Sequence, residues 1–227
     1  MLNLQNVSLN HGANTLLEAL NLTVRSGDFM AVIGENGCGK STLLRCIAGL
    51  HSSYKGRVIF GQKSVNEWSS KLLAKERAFV NQHNQVQFAF LTEEVLQLGR
   101  INQHESQDQS SELICQMAER LSIGHLFGRD VRTLSGGERQ RVFIAKALVQ
   151  LLPNANKIKT DSDFEGKLLL LDEPTSALDF RFQKAMMEIV KSFCQQGLGV
   201  MCVSHDINLV LPYATQVLLL ANGRCLA

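Results

Sequence analysis

The eight residues Gly34-Glu-Asn-Gly-Cys-Gly-Lys40-Ser41 restrict the fold of this chain more than any other segment. They fit the pattern G-x-x-x-x-G-K-[ST], in which glycines let backbone N–H groups curl around phosphate oxygens and the lysine reaches the outer phosphates. Such a loop works where a strand runs into it and a helix leaves it, because the helix N-terminus supplies further positive potential. Both flanks are present: Phe29 to Ile33 is an apolar run of strand length, and Lys40 to Ala48 reads as a helix closed by Gly49. That context separates the segment from an ordinary glycine-rich turn and points to an α/β chain. Lys40 is expected to reach the β- and γ-phosphates of a nucleotide and Ser41 to hold Mg²⁺. Gly34, Glu35, Asn36, Gly37, Cys38, Gly39 and Thr42 complete the expected cradle.

The rest of the chain reads as a frame for this unit. Leu2 to Asp28 alternates apolar and polar residues (Leu4, Val7, Leu9; Leu20, Leu22, Val24), with turn signals at His11-Gly12 and Ser26-Gly27. The alternation predicts antiparallel strands. Residues 82–111 are crowded with Gln, Asn, His and Ser around the apolar stretch Phe88 to Leu98, which predicts a surface excursion followed by helices to about residue 150. Two more apolar strands, Leu168 to Leu171 and Gly199 to Val203, enclose the amphipathic segment Phe182 to Phe193. This alternation of strand and helix implies a parallel sheet. With 227 residues and 45% hydrophobic content the chain can bury one sizeable core, and no internal repeat marks a tandem protein.

Two further motifs carry chemistry. Leu168-Leu-Leu-Leu-Asp172-Glu173 is an apolar strand ending in two carboxylates, the place where a parallel sheet presents acids to a ligand. Successive strand residues face opposite ways, so Asp172 can serve a hydrated Mg²⁺ while Glu173 polarises an attacking water. Leu134-Ser-Gly-Gly-Glu138, followed by Arg139-Gln-Arg141 and the helical run Val142 to Val149, is by itself equally an N-capped helix with a flexible entry. Taken with the other two motifs in this order, it resembles the signature of the ATP-binding subunits of ABC transporters.

The resemblance spans Leu2 to Ala227 and carries specific expectations. It implies one nucleotide-binding domain over residues 1–227, a P-loop NTPase of the ABC ATPase type. Residues 1–85 and 151–227 would form a RecA-like core with a mainly parallel sheet plus an antiparallel β subdomain, and 86–150 an inserted α-helical subdomain. ATP with Mg²⁺ would be bound, the metal by Ser41, Gln82 and Asp172. Glu173, His205, Lys40 and Gln82 would serve hydrolysis, Gln82 also sensing the membrane partner. His205 owes its role to the resemblance alone. Ser135, Gly136, Gly137 and Asp179 would contact ATP held by the other subunit of a homodimer. His11 stands about where the family stacks adenine on an aromatic residue, often Tyr; the alternative for His11 is a turn residue beside Gly12.

The same resemblance implies a polytopic permease dimer in the membrane and, indirectly, a substrate-binding protein, with this chain at the cytoplasmic face of the inner membrane. The stretches Leu73 to Gln82 and Phe88 to Arg100 are similar to importers of iron chelates, haem and cobalamin, and within that group to the haem importers. The long segment Gln150 to Lys167 is a second such hint, although a neutral loop expansion reads the same way. Ferric siderophore, cobalamin, and zinc or manganese are the other cargoes. A soluble non-transport ABC ATPase is the rival class, and it would carry tandem domains or a long coiled-coil insertion. Two departures stand out: Asn81 replaces a common proline, and the chain stops soon after Val217 to Leu220, so it is either minimal or short of its C-terminus.

Composition narrows the remaining classes. The net charge of +2 arises from 23 basic and 21 acidic residues dispersed along the chain, without the basic stripe of a nucleic-acid binder. Six cysteines lack CxxC spacing, which argues for a reducing compartment over a zinc or disulfide framework. Apolar runs are of strand length, well short of a bilayer span, and the N-terminus lacks a signal segment. One cysteine, Cys38, lies inside the phosphate loop at a helix N-terminus, an environment that favours a reactive thiolate. Alkylation is expected to inactivate the protein more slowly with ATP present, and Cys38→Ala is expected to resist it; equal rates with and without ATP, or an equally sensitive variant, would exclude a modifiable thiol there.

Overall fold

The computed structural model describes residues 1–11, 14–82, 86–154, 163–221 and 224–225. The chain opens with β1 (Leu2–His11) and β2 (Asn14–Val24), paired antiparallel as the alternation predicts. The break in that alternation between Leu4 and Val7 has a structural cause. The register shifts there, Asn6 adopts φ +49°, and its N–H donates to the Asn21 side chain at 3.0 Å. The extra residue of this bulge restores Val7 to the buried face.

β3 (Phe29–Gly34) leads through the glycine loop into α1 (Lys40–Ile47), and Gly49 follows in the left-handed conformation that ends it. Next come β4 (Tyr54–Phe60), β5 (Lys63–Ser64), α2 (Ser70–Glu76) and β6 (Arg77–Val80). Three helices follow, α3 (Thr92–Gln97), α4 (Gln107–Arg120) and α5 (Gly136–Leu151). The chain then returns to strands: β7 (Leu168–Asp172), α6 (Phe180–Cys194), β8 (Gly199–Val203), α7 (Ile207–Val210), β9 (Gln216–Ala221) and β10 (Arg224–Cys225).

Among the described residues these strands build two sheets. One is antiparallel in the order β2-β1-β4-β5; the other has the order β10-β9-β3-β8-β7-β6 and is parallel except for the β10-β9 pair. The parallel sheet places the ends of β3, β7 and β8 side by side, so Gly34, Asp172 and the residues after Val203 share one edge. That edge carries the ligand crevice in open α/β sheets.

Period-2 geometry divides the interior. Leu169, Leu171, Val200 and Cys202 face a core shared with α5 and α6, whereas Leu168, Leu170, Met201 and Val203 face one shared with α1 and the antiparallel sheet. Strands buried on both faces read as unbroken apolar runs, which is why Leu168 to Leu171 was recognisable. In the long 150–167 segment, Phe164 is fully buried with its ring 4.9 Å from that of Phe193, edge to face. Residues 155–162 of that segment lie outside the described residues.

Leu170 is fully buried at the centre of the second core. Leu170→Ala is expected to lower stability by about 2–5 kcal/mol, read as a lower urea midpoint with an unchanged slope.

Candidate active site

β3 delivers Gly34 to a place where a side chain has no room: a Cβ there would lie 2.2 Å from the Leu220 carbonyl oxygen of β9. Gly37 (φ +79°) and Gly39 (φ +96°) then take left-handed conformations that turn the loop back onto the start of α1. Lys40 is 5% exposed, and its Nζ donates to the carbonyls of Gly34 and Glu35 at 2.7 Å each. The ammonium group thus sits within the curl of the loop. The Cys38 thiol is half-buried against the second core.

Ser41, one residue further on, donates from Oγ to Asp172 Oδ1 at 2.9 Å. Asp172 ends β7 and is 1% exposed. Burial raises its carboxyl pKa above the usual range for Asp. The Ser41 hydrogen bond opposes that shift, the neighbouring Glu173 charge adds to it, and Arg45 and Lys40 oppose it.

Glu173 has a special backbone. It adopts φ +50°, uncommon for a residue with a side chain and worth about 1–3 kcal/mol of local strain. Its neighbours hold it there: its N–H donates to Val203 O at 3.0 Å, and the Ser176 hydroxyl donates to its carbonyl at 3.1 Å. The turn directs the carboxylate to Gln82, whose Nε2 donates to Oε2 at 2.5 Å, and to His205, whose Nε2 pairs with Oε1. Asn81 accepts the Gln82 N–H at 3.0 Å, so the residue that replaces the expected proline fixes the backbone at this point.

These groups surround one cleft of about 340 Å³. Asn36, Gly37, Gly39, Lys40, Ser41, Thr42, Gln82, Glu173 and His205, all singled out in the sequence, line it together with Leu16, which sequence reasoning missed. The available signal was strand alternation in β2. Leu17 points into the core, so Leu16 faces outward, where it meets the loop at Gly39. Gly34, Glu35, Cys38 and Asp172 are not part of the lining, although Asp172 holds Ser41 from its buried side. The His11 side chain lies outside the described residues, as do residues 12 and 13.

Ser135, Gly136, Gly137 and Asp179 do not line this cleft. Ser135 caps α5, accepting the Glu138 N–H at 3.2 Å while the Glu138 carboxylate accepts the Ser135 N–H at 2.8 Å. The Ser135 backbone N–H and then its hydroxyl, with Arg129 beside them, hold the Glu138 carboxyl below its usual range. A Cβ on Gly137 would come within 3.2 Å of Ala177 O and Leu178, and one on Gly136 within 3.3 Å of Ala177 Cβ. The glycines are therefore small because the loop before α6 packs on them. Asp179 caps α6 by accepting the Phe182 N–H at 3.0 Å.

The donor set suits a hard divalent cation. A hydroxyl, one buried carboxylate and a nearby amide carbonyl supply oxygen ligands of the kind Mg²⁺ takes alongside substrate phosphates. A Cβ on Gly37 would meet nothing within 4 Å, so it is the left-handed φ and not lack of room that favours glycine there, whereas one on Gly39 would lie 3.2 Å from Leu16 Cβ.

Comparison with known proteins agrees with this geometry. The ABC transporter family model matches residues 17–153. The hemin import ATP-binding protein HmuV of Pseudomonas aeruginosa is 37% identical over 224 residues, 99% of this chain and 84% of that protein. The protein of the same name in Idiomarina loihiensis is 38% identical over 224 residues, covering 98% and 83%. A dimeric bacterial ABC transporter cassette superposes with a TM-score of 0.84 at 25% identity, over 100% of this chain and 97% of that one. Phosphate loop, paired carboxylates and capped signature helix thus occur together in a chain that belongs to the ABC transporter family, as one of its ATP-binding subunits.

Proposed function

We propose that this chain hydrolyses ATP between two copies of itself and uses their closure to energise haem import through a separate membrane permease. The observation that carries hydrolysis is the Glu173 carboxylate, turned out of β7 at φ +50° and held against Gln82 and His205 at the mouth of the phosphate loop. There Glu173 is the general base that takes the proton of the attacking water. His205 and Lys40 stabilise the charge that develops on the γ-phosphate oxygens, and Gln82 orients both water and base. Ser41, Asp172 and Gln82 would hold a Mg²⁺ ion, which would supply neutralisation of phosphate charge. Glu35, Asn36, Cys38 and Thr42 complete the backbone cradle, and His11 contacts the adenine.

The second half of the site comes from a second copy. Ser135, Gly136, Gly137 and Asp179 stand away from their own cleft, and the α5 N-terminus presents N–H groups suited to a γ-phosphate. The likeness to a dimeric cassette supports the pairing. Residues 86–150 act as a helical lobe on a core formed by 1–85 and 151–227, and closure draws the lobes together.

A membrane partner is favoured by surface chemistry. Among the described residues no helix is long and apolar enough to cross a membrane, yet Phe88 and Ile101 are 70% and 74% exposed. Ile101 lines a groove of about 370 Å³ beside α3 and α4 together with Phe90 and Leu98, a surface suited to a short segment of a permease. The chain would then work at the cytoplasmic face of the inner membrane, below a permease dimer that receives cargo from a substrate-binding protein. Haem is the cargo favoured by the relatives that carry that name.

Glu173→Gln is expected to lose about 10²–10⁴-fold in turnover, roughly 3–5 kcal/mol, while ATP affinity is retained and the protein elutes as a closed dimer in ATP. Wild-type turnover by that variant would remove Glu173 from the role of base. A strain lacking this chain is expected to stop growing on haemin as sole iron source, and to recover with the wild-type copy but not with Glu173→Gln. Growth on haemin retained, with loss on ferric siderophore, cobalamin, zinc or manganese, would reassign the cargo. Sedimentation with ribosomes or nucleic acid in place of a membrane subunit would overturn the importer reading.

A further inference from the structure

We propose that Arg100 is a positioning residue that pins the permease-facing groove to the C-terminal end of α5, so that a push on the groove moves Ser135, Gly136 and Gly137 at the other end. The proposal rests on the importer reading above and deepens it.

Arg100 follows α3, and its side chain is only 3% exposed. A guanidinium has five N–H donors, and all five of those on Arg100 are used. Nε and Nη2 form a fork on the two oxygens of Glu105, each bond 2.7 Å, and the Glu105 side chain is itself 1% exposed. Nη1 donates to Val149 O at 2.7 Å and to Leu152 O at 2.8 Å, while Nη2 also reaches Pro153 O at 2.9 Å. Those three carbonyls belong to the last turn of α5 and the residues just past it, where a helix leaves acceptors without intrahelical partners and where its dipole favours a cation. Arg100 is thus a C-terminal cap supplied by a different element. Lysine could not reproduce it, having one charged nitrogen and no planar fork.

Two neighbouring contacts make the joint stiff. A Cβ on Gly99 would lie 2.7 Å from Lys146 O, so the backbone of residues 98–100 lies directly on α5 with no side chain between them. On the opposite side Gln150 donates to Ala74 O at 2.8 Å and Arg77 O at 3.2 Å, tying the same end of α5 to the start of β6. The end of α5 therefore joins the groove segment and the parallel sheet. The groove is lined by Ile101, Leu98 and Phe90, with Arg100 at its floor. From this joint the 16 residues of α5 extend about 24 Å to the capped Ser135 end. A rigid helix that pivots about this joint turns a small rotation there into a larger displacement at its tip.

The pair is buried and fully bonded, so removing one partner alone would strand a charge, whereas replacing both by apolar residues leaves none. The test uses the cassette bound to its co-purified permease in liposomes, with haemin uptake and ATP turnover measured together, and the isolated cassette measured beside it. The double variant Arg100→Leu with Glu105→Leu is expected to keep isolated turnover and ATP affinity within about two-fold of wild type and to retain the permease. It is expected to lose about ten-fold or more of the permease-dependent turnover and uptake, within the range of ordinary coupling free energies. Arg100→Lys is expected to lose coupling in the same direction, and it carries the test if the double variant does not fold. Wild-type coupling in whichever of these variants folds overturns the proposal, as does an equal fall in isolated and permease-dependent turnover, which marks a merely structural role. A wild-type complex whose turnover is indifferent to the permease overturns the importer reading itself.

Discussion

The hydrogen bond from the Ser41 hydroxyl to the buried Asp172 carboxylate joins two positions 131 residues apart in sequence, and the active site is organised around it. It fixes the start of α1 against the end of β7, and so sets where the phosphate loop stands relative to Glu173. The bond exists because β3 and β7 flank β8 in one parallel sheet, which puts their carboxyl ends on the same edge. Burying Asp172 costs solvation, and the Ser41 bond with the Lys40 and Arg45 charges offsets part of that cost. A site assembled in this way depends on the sheet register as much as on the residues. A slip of one position would turn Asp172 to the other face.

The second constraint is steric. Glycines 136 and 137 allow the loop before α6 to lie against the first turn of α5, and the Ser135 and Glu138 capping pair closes that turn. The signature segment is thus built as a firm helix start and not as a flexible entry. In its own chain it stands outside the lining of the cleft. At the far end, α5 meets Arg100 and Gln150, so one helix connects the capped Ser135 end with the groove and the sheet.

The buried strands and the three chemical motifs were legible because each has a strong local pattern: unbroken apolar runs for β3, β7 and β8, and glycine spacing or paired acids for the motifs. The antiparallel hairpin was legible from alternation, and its bulge at Asn6 explains the irregular step from Leu4 to Val7. By contrast β4, β6 and α2 were not read. β6 has four residues and begins at Arg77, directly after the charged end of α2, so period and composition both fail there. β4 begins Tyr-Lys-Gly-Arg with its first residues exposed or half-buried, and only its second half shows the apolar pattern of a strand. The helix read as Phe182 to Phe193 begins two residues earlier because Asp179 caps it, a role that the sequence alone left hidden behind a cross-interface one.

What the amino-acid sequence determined by itself was the chemistry: glycines where the backbone must turn left-handed or leave no room, a lysine and a serine at a helix start, and two acids at a strand end. These follow from residue type and spacing, which act over a few positions. Only the tertiary structure decided which groups meet. It turned Glu173 toward Gln82 and His205 through a strained φ, brought Leu16 to the wall of the cleft, and placed Arg100 under the end of α5. Those contacts join residues far apart along the chain, and their geometry is set by sheet register and packing, which no local pattern encodes.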